Sequence, residues 1–316
     1  MSFSAGIMSR SVPGRGGYWA AYYGQVWKLL YSTETASIVT ALTVDAANSM
    51  YNATASSNKD VAGYMYGGGT WNTGVTATIY RWSFVNDSTR TLATTLSSSR
   101  VACGSVSNSG TAGYVAGGAT STGSGAGIYS VIDKLAYATE SRSSLSSSLS
   151  PSRSYVTGVS SSGVAGYFMG GALIGNPQSS ADCSAAISKL SYATDTVSTL
   201  GGALSISGYW ASAVSNSGVA GYMMSIIAFL GPNYNNSPTY NYCNRISYTT
   251  DVVSSVSPYN LGNIDIWGAG VSSQGVAGWH QATGRTYRFN FSTEGVSQTG
   301  LSIYSGQGTA FSNSLA

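Results

Sequence analysis

The chain has 316 residues, of which 43% are hydrophobic, enough for a substantial core. Only 8% are charged, against roughly 25% in an ordinary soluble domain. The net charge of +3 comes from scattered residues. With no Lys/Arg run to hold a phosphate backbone, nucleic acid is not an expected partner. No apolar run reaches the roughly 18 residues of a membrane span, so membrane insertion is not expected either. A surface built from Gly, Ser, Thr and Tyr in place of charge suits an external or assembly-embedded protein better than a cytosolic enzyme.

The opening stretch, MSFSAGIMSRSVPGRGG, lacks the apolar core of a secretory signal. Residues 1–16 read as an arm or an extra strand. From residue 17 a two-part signature repeats. Its first part is Gly17-Tyr18, Gly63-Tyr64, Gly113-Tyr114, Gly166-Tyr167, Gly221-Tyr222 and Gly278-Trp279. Its second part is a basic residue, an aromatic three later and an acid three after that. The six copies are Lys28-Tyr31-Glu34, Arg81-Phe84-Asp87, Lys134-Tyr137-Glu140, Lys189-Tyr192-Asp195, Arg245-Tyr248-Asp251 and Arg288-Phe291-Glu294. The units run approximately 17–62, 63–112, 113–165, 166–220, 221–277 and 278–316.

Each unit reads as four short strands, clearest in the fourth. SYVTGVSS (154–161) alternates as strand a, and VAGYFMGG (164–171) is strand b. Strand c lies near 187–194, and VSTLGGAL (197–204) contains strand d, with Gly/Ser/Asn/Asp turn residues between them. Apolar residues show no helical period. Four strands per unit of roughly 40–50 residues, repeated six times, predict an all-β, six-bladed β-propeller with four antiparallel strands per blade. The C-terminal GQGTAFSNSLA (306–316) resembles a strand a with no strand b after it, and the first Gly-Tyr lacks a strand a before it. The two ends are therefore expected to complete one blade and close the ring.

With the strands laid out, the chain resembles a kelch propeller. A double glycine follows strand b in YMYGGG (64–69), YVAGG (114–118) and YFMGG (167–171), although units one, five and six lack it and the strand-d Trp is absent. The repeats are similar still to the kelch-like repeats of virion structural proteins of tailed phages, notably those of marine cyanobacteria. They share the Gly-Tyr and basic-aromatic-acid pattern and the pairs Ser99-Arg100 and Ser152-Arg153. That resemblance implies a virion or tail component and no particular activity.

The six repeated triads are expected to be scaffold, because a catalytic site appears once. On strand c, Leu190 and Tyr192 face one side and Lys189 the other. The acid falls in the c–d turn, where it is expected to bond local backbone N–H groups. His280, the only histidine, has no nucleophile and acid placed around it for a triad. The acids outside the triads, Asp45, Asp60, Asp133, Asp182 and Asp265, are expected to be solvated loop residues rather than a glycosidase pair. Cys103, Cys183 and Cys243 have neither disulfide nor zinc spacing, and Cys183 and Cys243 could pair only if two loops meet. No metal or cofactor is expected.

Differences between the repeats are more informative. The a–b and c–d connections barely vary, whereas the b–c connections do: 119–131, 172–187 and above all 225–244. Function sits preferentially on variable loops carried by a rigid scaffold. Ile226, Phe229, Tyr234, Asn235, Asn236, Tyr240 and Tyr242 are the expected contact residues, since aromatics are enriched in interfaces. The alternative for Ile226 and its neighbours is that they only continue strand b. The expected function is a non-enzymatic virion protein, a tail, fibre or head appendage. It would bind other virion proteins and a host-surface glycan or protein through the b–c loop face. The other reading is an extracellular carbohydrate-binding or glycan-cleaving propeller.

Overall fold

Runs of Val, Thr, Tyr, Ser and Ala between Gly- and Asx-containing turns extend into strands, as their composition favours. The computed structural model describes residues 15–20, 25–41, 51–70, 74–123, 125–175, 177, 179–227, 239–256, 269–282, 285–303 and 309–312. They form six antiparallel four-stranded sheets. Blade 4 has strands a to d at Thr157–Ser161, Ala165–Met169, Ile187–Ser191 and Thr196–Thr199. Blades 2, 3, 5 and 6 repeat that order, with strand a at Thr54–Asn58, Gly104–Asn108, Ser212–Asn216 and Gly270–Ser273. Blade 1 draws strand a, Thr309–Ser312, from the far end of the chain, beside Gly16–Ala20, Gln25–Leu30 and Thr35–Ala41. The expected closure is present: Gly17 pairs with Ser312, Tyr18 with Phe311, Trp19 with Ala310 and Ala20 with Thr309. The six-bladed propeller and its kelch-like double glycines are thus both present.

The core lies between blades, and every part of the repeated signature acts there. The glycine of each Gly-aromatic pair lets the previous blade's strand a lie flat against strand b. A Cβ on Gly166 would fall 2.4 Å from Val106 Cγ2 and 2.8 Å from the Tyr192 hydroxyl. Gly166→Ala is therefore expected to destabilise by about 1–3 kcal/mol through overpacking. An unchanged urea midpoint would count against it.

The strand-b aromatic then stacks on the triad aromatic of the next blade. The pairs are Tyr18–Phe84, Tyr64–Tyr137, Tyr114–Tyr192, Tyr167–Tyr248, Tyr222–Phe291 and Trp279–Tyr31, with ring centroids 4.9–5.7 Å apart. Stacked pairs of this kind contribute roughly 0.5–1.5 kcal/mol each beyond area burial.

The triad acids correct the expectation of local turn bonds. Glu34, Asp87, Glu140, Asp195, Asp251 and Glu294 all take positive φ of 50–57°, which ends the turn and sends the carboxylate to the preceding blade. Lys28 pairs with Asp87, Arg81 with Glu140, Lys134 with Asp195, Lys189 with Asp251, Arg245 with Glu294, and Arg288 with Glu34, at 2.6–3.1 Å. The sixth pair returns to the first blade, so the ion pairs form a closed ring. In blade 4 the Lys189 ammonium also lies 5.6 Å from the Tyr167 ring centroid. The Tyr167 hydroxyl donates to the same Asp251 at 2.7 Å.

A second closed ring circles the axis. The Ser57 N–H donates to Ser107 Oγ, Ser107 N–H to Ser160 Oγ, Ser160 N–H to Ser215 Oγ, and Ser215 N–H to Ser272 Oγ. Ser272 N–H donates to Ser312 Oγ and Ser312 N–H to Ser57 Oγ, all six at 2.8–3.1 Å. The inner edge of each strand a is thereby satisfied by its neighbour, which removes an exposed sheet edge.

Burial between the blades pushes the phenols of Tyr66, Tyr137, Tyr192 and Tyr248 well above their ordinary range, and that of Tyr222 up to about 12. Below the unfolded tyrosine value of about 10, both states keep their protons and the stability is fully present. Above it the unfolded chain ionises first, so stability is lost as pH rises. Cooperative alkaline unfolding is expected from just above pH 10, with tyrosinate absorbance and loss of circular dichroism rising together. Phenols that titrate in a still-folded ring would contradict this.

Candidate functional site

The a–b and c–d turns emerge on one face, and the b–c and d–a connections on the other. The first face is uniform. Its a–b turns place Gly110, Gly163, Gly218 and Gly275 at φ 74–80° and close with the same backbone bond, for example Val164 N–H to the Ser161 carbonyl at 3.0 Å.

The second face is where the blades diverge. Blade 2 carries a small hairpin, Gly69–Thr70 with Gly74–Val75. In blade 3, Ala119 bridges Ile128. The blade 4 connection holds a 3-10 turn at Ser180–Asp182, whose Asp182 carboxylate accepts from the N–H and hydroxyl of Ser179. These two loops touch, since a Cβ on Gly175 would sit 2.4 Å from Ala126 Cβ. In blade 5, strands b and c lengthen to Ala220–Ile227 and Thr239–Ser247, with a register shift between Met224 and Ile226.

Of the expected contact residues, Ile226 and Tyr240 are register partners on these lengthened strands, so Ile226 does continue strand b. Tyr242 is exposed. Phe229, Tyr234, Asn235 and Asn236 lie outside the described residues, as do Asp45, Asp265 and the 1–14 part of the N-terminal segment.

A double glycine begins three of these connections. Gly67 and Gly68, Gly117 and Gly118, and Gly170 and Gly171 all take positive φ. A Cβ on Gly117 would lie 2.2 Å from the Arg153 carbonyl oxygen, and one on Gly67 would lie 2.4 Å from that of Arg100. The glycines thus make room for the d–a segment that carries the Ser-Arg pair.

That segment holds what sequence reasoning missed. Arg100 and Arg153 are fully buried. Arg100 donates to Asp133 Oδ2 at 2.7 Å. Asp133 is not a solvated loop acid as expected but 1% exposed, because it also accepts from Ser97 N–H, Ser97 Oγ and Ser144 Oγ. Arg153 has Ser188 in the equivalent place, plus the carbonyls of Gly170 and Ala186. With no carboxylate beside it, burial draws its pKa down to about 10. The register of Asp133 with Ser188, one residue before the triad lysine, was the available signal.

His280 is fully buried and stacked on Tyr287. Burial lowers its pKa to about 3, so it stays neutral and shielded from any substrate in solution. The three thiols are buried and not disulfide-bonded. Burial raises Cys103 to about 11, Cys183 to about 12 and Cys243 further still, so none is a ready nucleophile. Among the described residues no cluster of three or more His, Cys, Asp or Glu is placed to hold a metal.

One cavity of about 210 Å³ runs along the axis, lined by strand a of all six blades. Among the described residues its lining is Ser, Thr, Ala and Gly with Asn52, Cys103, Tyr155, Trp210 and a few apolar side chains, and none of these is charged. At the b–c end four consecutive blades start strand a from a left-handed residue: Asn52, Ala102, Tyr155 and Trp210, with φ of 50–56°. Tyr155 meets Trp210 edge-on, with centroids 5.0 Å apart. The chain matches no known protein-family model and no curated protein sequence, so what its repeats do is argued from their geometry.

Proposed function

We propose that the chain is a non-enzymatic structural protein of a phage virion, a tail, fibre or head appendage. In this reading it attaches to a partner protein or the host surface through its b–c loop face. The observation that carries the reading is the contrast between the two faces: six c–d turns that each close on a left-handed acid and a–b turns of one pattern on one side, and connections of different length and content on the other. A rigid ring that varies on one face only is built as a presenting scaffold. The resemblance of the Gly-Tyr and basic-aromatic-acid repeats to phage virion propellers supports the virion setting. Its sparse charge fits a protein that spends its life packed or displayed in an assembly.

The test is competition for adsorption. Purified ring should block binding of the parent particle to its host. A variant with residues 228–238 replaced by Asn-Gly, which suits a tight hairpin, should keep the melting temperature and lose the block. A particle whose protein inventory lacks the chain would sink the virion reading. Full competition by the trimmed ring would move the contact off the blade 5 loop.

A further inference from the structure

We propose that the channel mouth on the b–c face binds the end of an uncharged saccharide, about one sugar residue deep. The inference deepens the attachment reading and rests on it for its biological use.

Size sets the first limit. A cavity of about 210 Å³ is smaller than the roughly 300–1,000 Å³ that hold drug-sized ligands. Charge sets the second. No Lys, Arg, Asp, Glu or His is among the described lining residues, and the Cys103 thiol is held neutral by burial. A phosphate, sulfate, carboxylate or ammonium group would enter without a counter-charge.

Hydrogen-bond polarity sets the third. Ser105 Oγ donates to the Ala55 carbonyl at 2.6 Å, so in its 2.6 Å contact with Thr54 the threonine is the donor. Thr157 donates to the Ala211 carbonyl and Ser212 to that of Met224. These four hydroxyls have spent their protons on the protein and offer oxygen lone pairs to the channel. Beside them the axial serines Ser57, Ser107, Ser160 and Ser215 accept backbone N–H bonds and keep hydroxyl protons of their own, so the channel sets acceptors and neutral donors side by side, which suits a polyhydroxyl ligand.

The mouth supplies the complementary groups. Asn52 lines the same cavity, and its Nδ2 is shielded from solvent without a hydrogen-bond partner; a rotation of the side chain would bring that donor out to a sugar oxygen. Trp210 is partly buried and lines the same cavity, braced by the edge of Tyr155. An indole presents an apolar surface to the C–H groups of a pyranose. Left-handed backbone costs an aromatic residue roughly 1–2 kcal/mol, and such strain clusters at functional sites. Tyr155 and Trp210 occupy these positions where Gly or Asn would sit unstrained.

The test uses the whole chain on an array of neutral, sialylated and sulfated oligosaccharides. It is followed by titration with glucose, galactose, mannose and N-acetylglucosamine, read by tryptophan fluorescence. Binding confined to neutral glycans is expected. Asn52→Gly and Trp210→Gly keep the left-handed backbone and should each weaken binding about tenfold, the loss of one good contact, with circular dichroism unchanged. Tyr242→Ala, on the lengthened strand c of blade 5 and outside the cavity lining, should leave saccharide affinity as it was.

Absence of any neutral-saccharide binding, preference for acidic glycans, or wild-type affinity in both glycine variants would each overturn the inference. A ring that still competes for host adsorption while binding no saccharide would overturn this inference alone and leave the attachment reading standing. A ring that binds neutral glycans but is missing from particles would do the reverse.

Discussion

Removing residues 309–316 is expected to unfold the whole ring, not merely loosen one edge. Phe311 is buried, stacked 5.5 Å from Tyr18, and packed near Trp82 and Phe84. Losing that side chain alone is worth about 3–5 kcal/mol. The same deletion removes four register pairs of strand b in blade 1 and two of the six links in the axial serine ring. It also leaves the inner edge of blade 1 unpaired. Together these exceed the margin of a typical domain, about 5–15 kcal/mol. The deleted chain should lose its cooperative urea transition and aggregate, and a peptide of residues 306–316 added in trans should restore part of the signal. A truncated protein that melts within a few degrees of the full chain would show that the ring does not depend on this clasp.

Asp133→Ala is expected to be among the most damaging single substitutions in the molecule, at about 3–5 kcal/mol. It strands the fully buried Arg100 guanidinium with no carboxylate and leaves the Ser97 and Ser144 donors unpaired. Blade 4 provides an internal comparison. Arg153 already lives without an acid, held by Ser188 Oγ and two carbonyls, so Ser188→Asp should raise the denaturation midpoint. The double variant Arg100→Met with Asp133→Leu should cost clearly less than Asp133→Ala, because replacing both members of a buried pair leaves no orphaned charge. Equal losses for the single and double variants would mean that Asp133 acts only through packing and its serine contacts.

These two cases divide what was legible from what was not. The C-terminal clasp could be foreseen, because TAFSNS at 309–314 carries the same SNS as the ends of strand a at 107–109 and 215–217 and lacks a strand b of its own. The Asp133 hub could not. In the sequence it is one more acid beside a triad lysine, and Arg100 stands far from it along the chain. Burial of that pair follows from the double glycine, which admits the d–a segment under the neighbouring blade. The channel mouth was equally hidden. Asn52, Ala102, Tyr155 and Trp210 share no residue type, and only their common backbone geometry marks them as equivalent. The loop residues chosen from variability were partly placed. Ile226 and Tyr240 lie on strands that outgrow the blade, while Phe229, Tyr234, Asn235 and Asn236 fall outside the described residues.

The triad shows the boundary most clearly. Its repetition was enough to settle strand order, blade number and a scaffold role, because every blade solves the same packing problem with the same local pattern, and a solution used six times leaves a period in the chain. The partners of each residue were another matter. Within one copy, Lys189 and Asp195 look made for each other, yet Lys189 pairs with Asp251 of the next blade and Asp195 with Lys134 of the previous one. That choice belongs to the tertiary structure. A left-handed residue closing each c–d turn turns the acid outward, and the radial packing of sheets decides which basic residue it meets. Local periodicity is set by each strand alone, whereas pairing, burial and the shape of the axial channel exist only once the ring has closed.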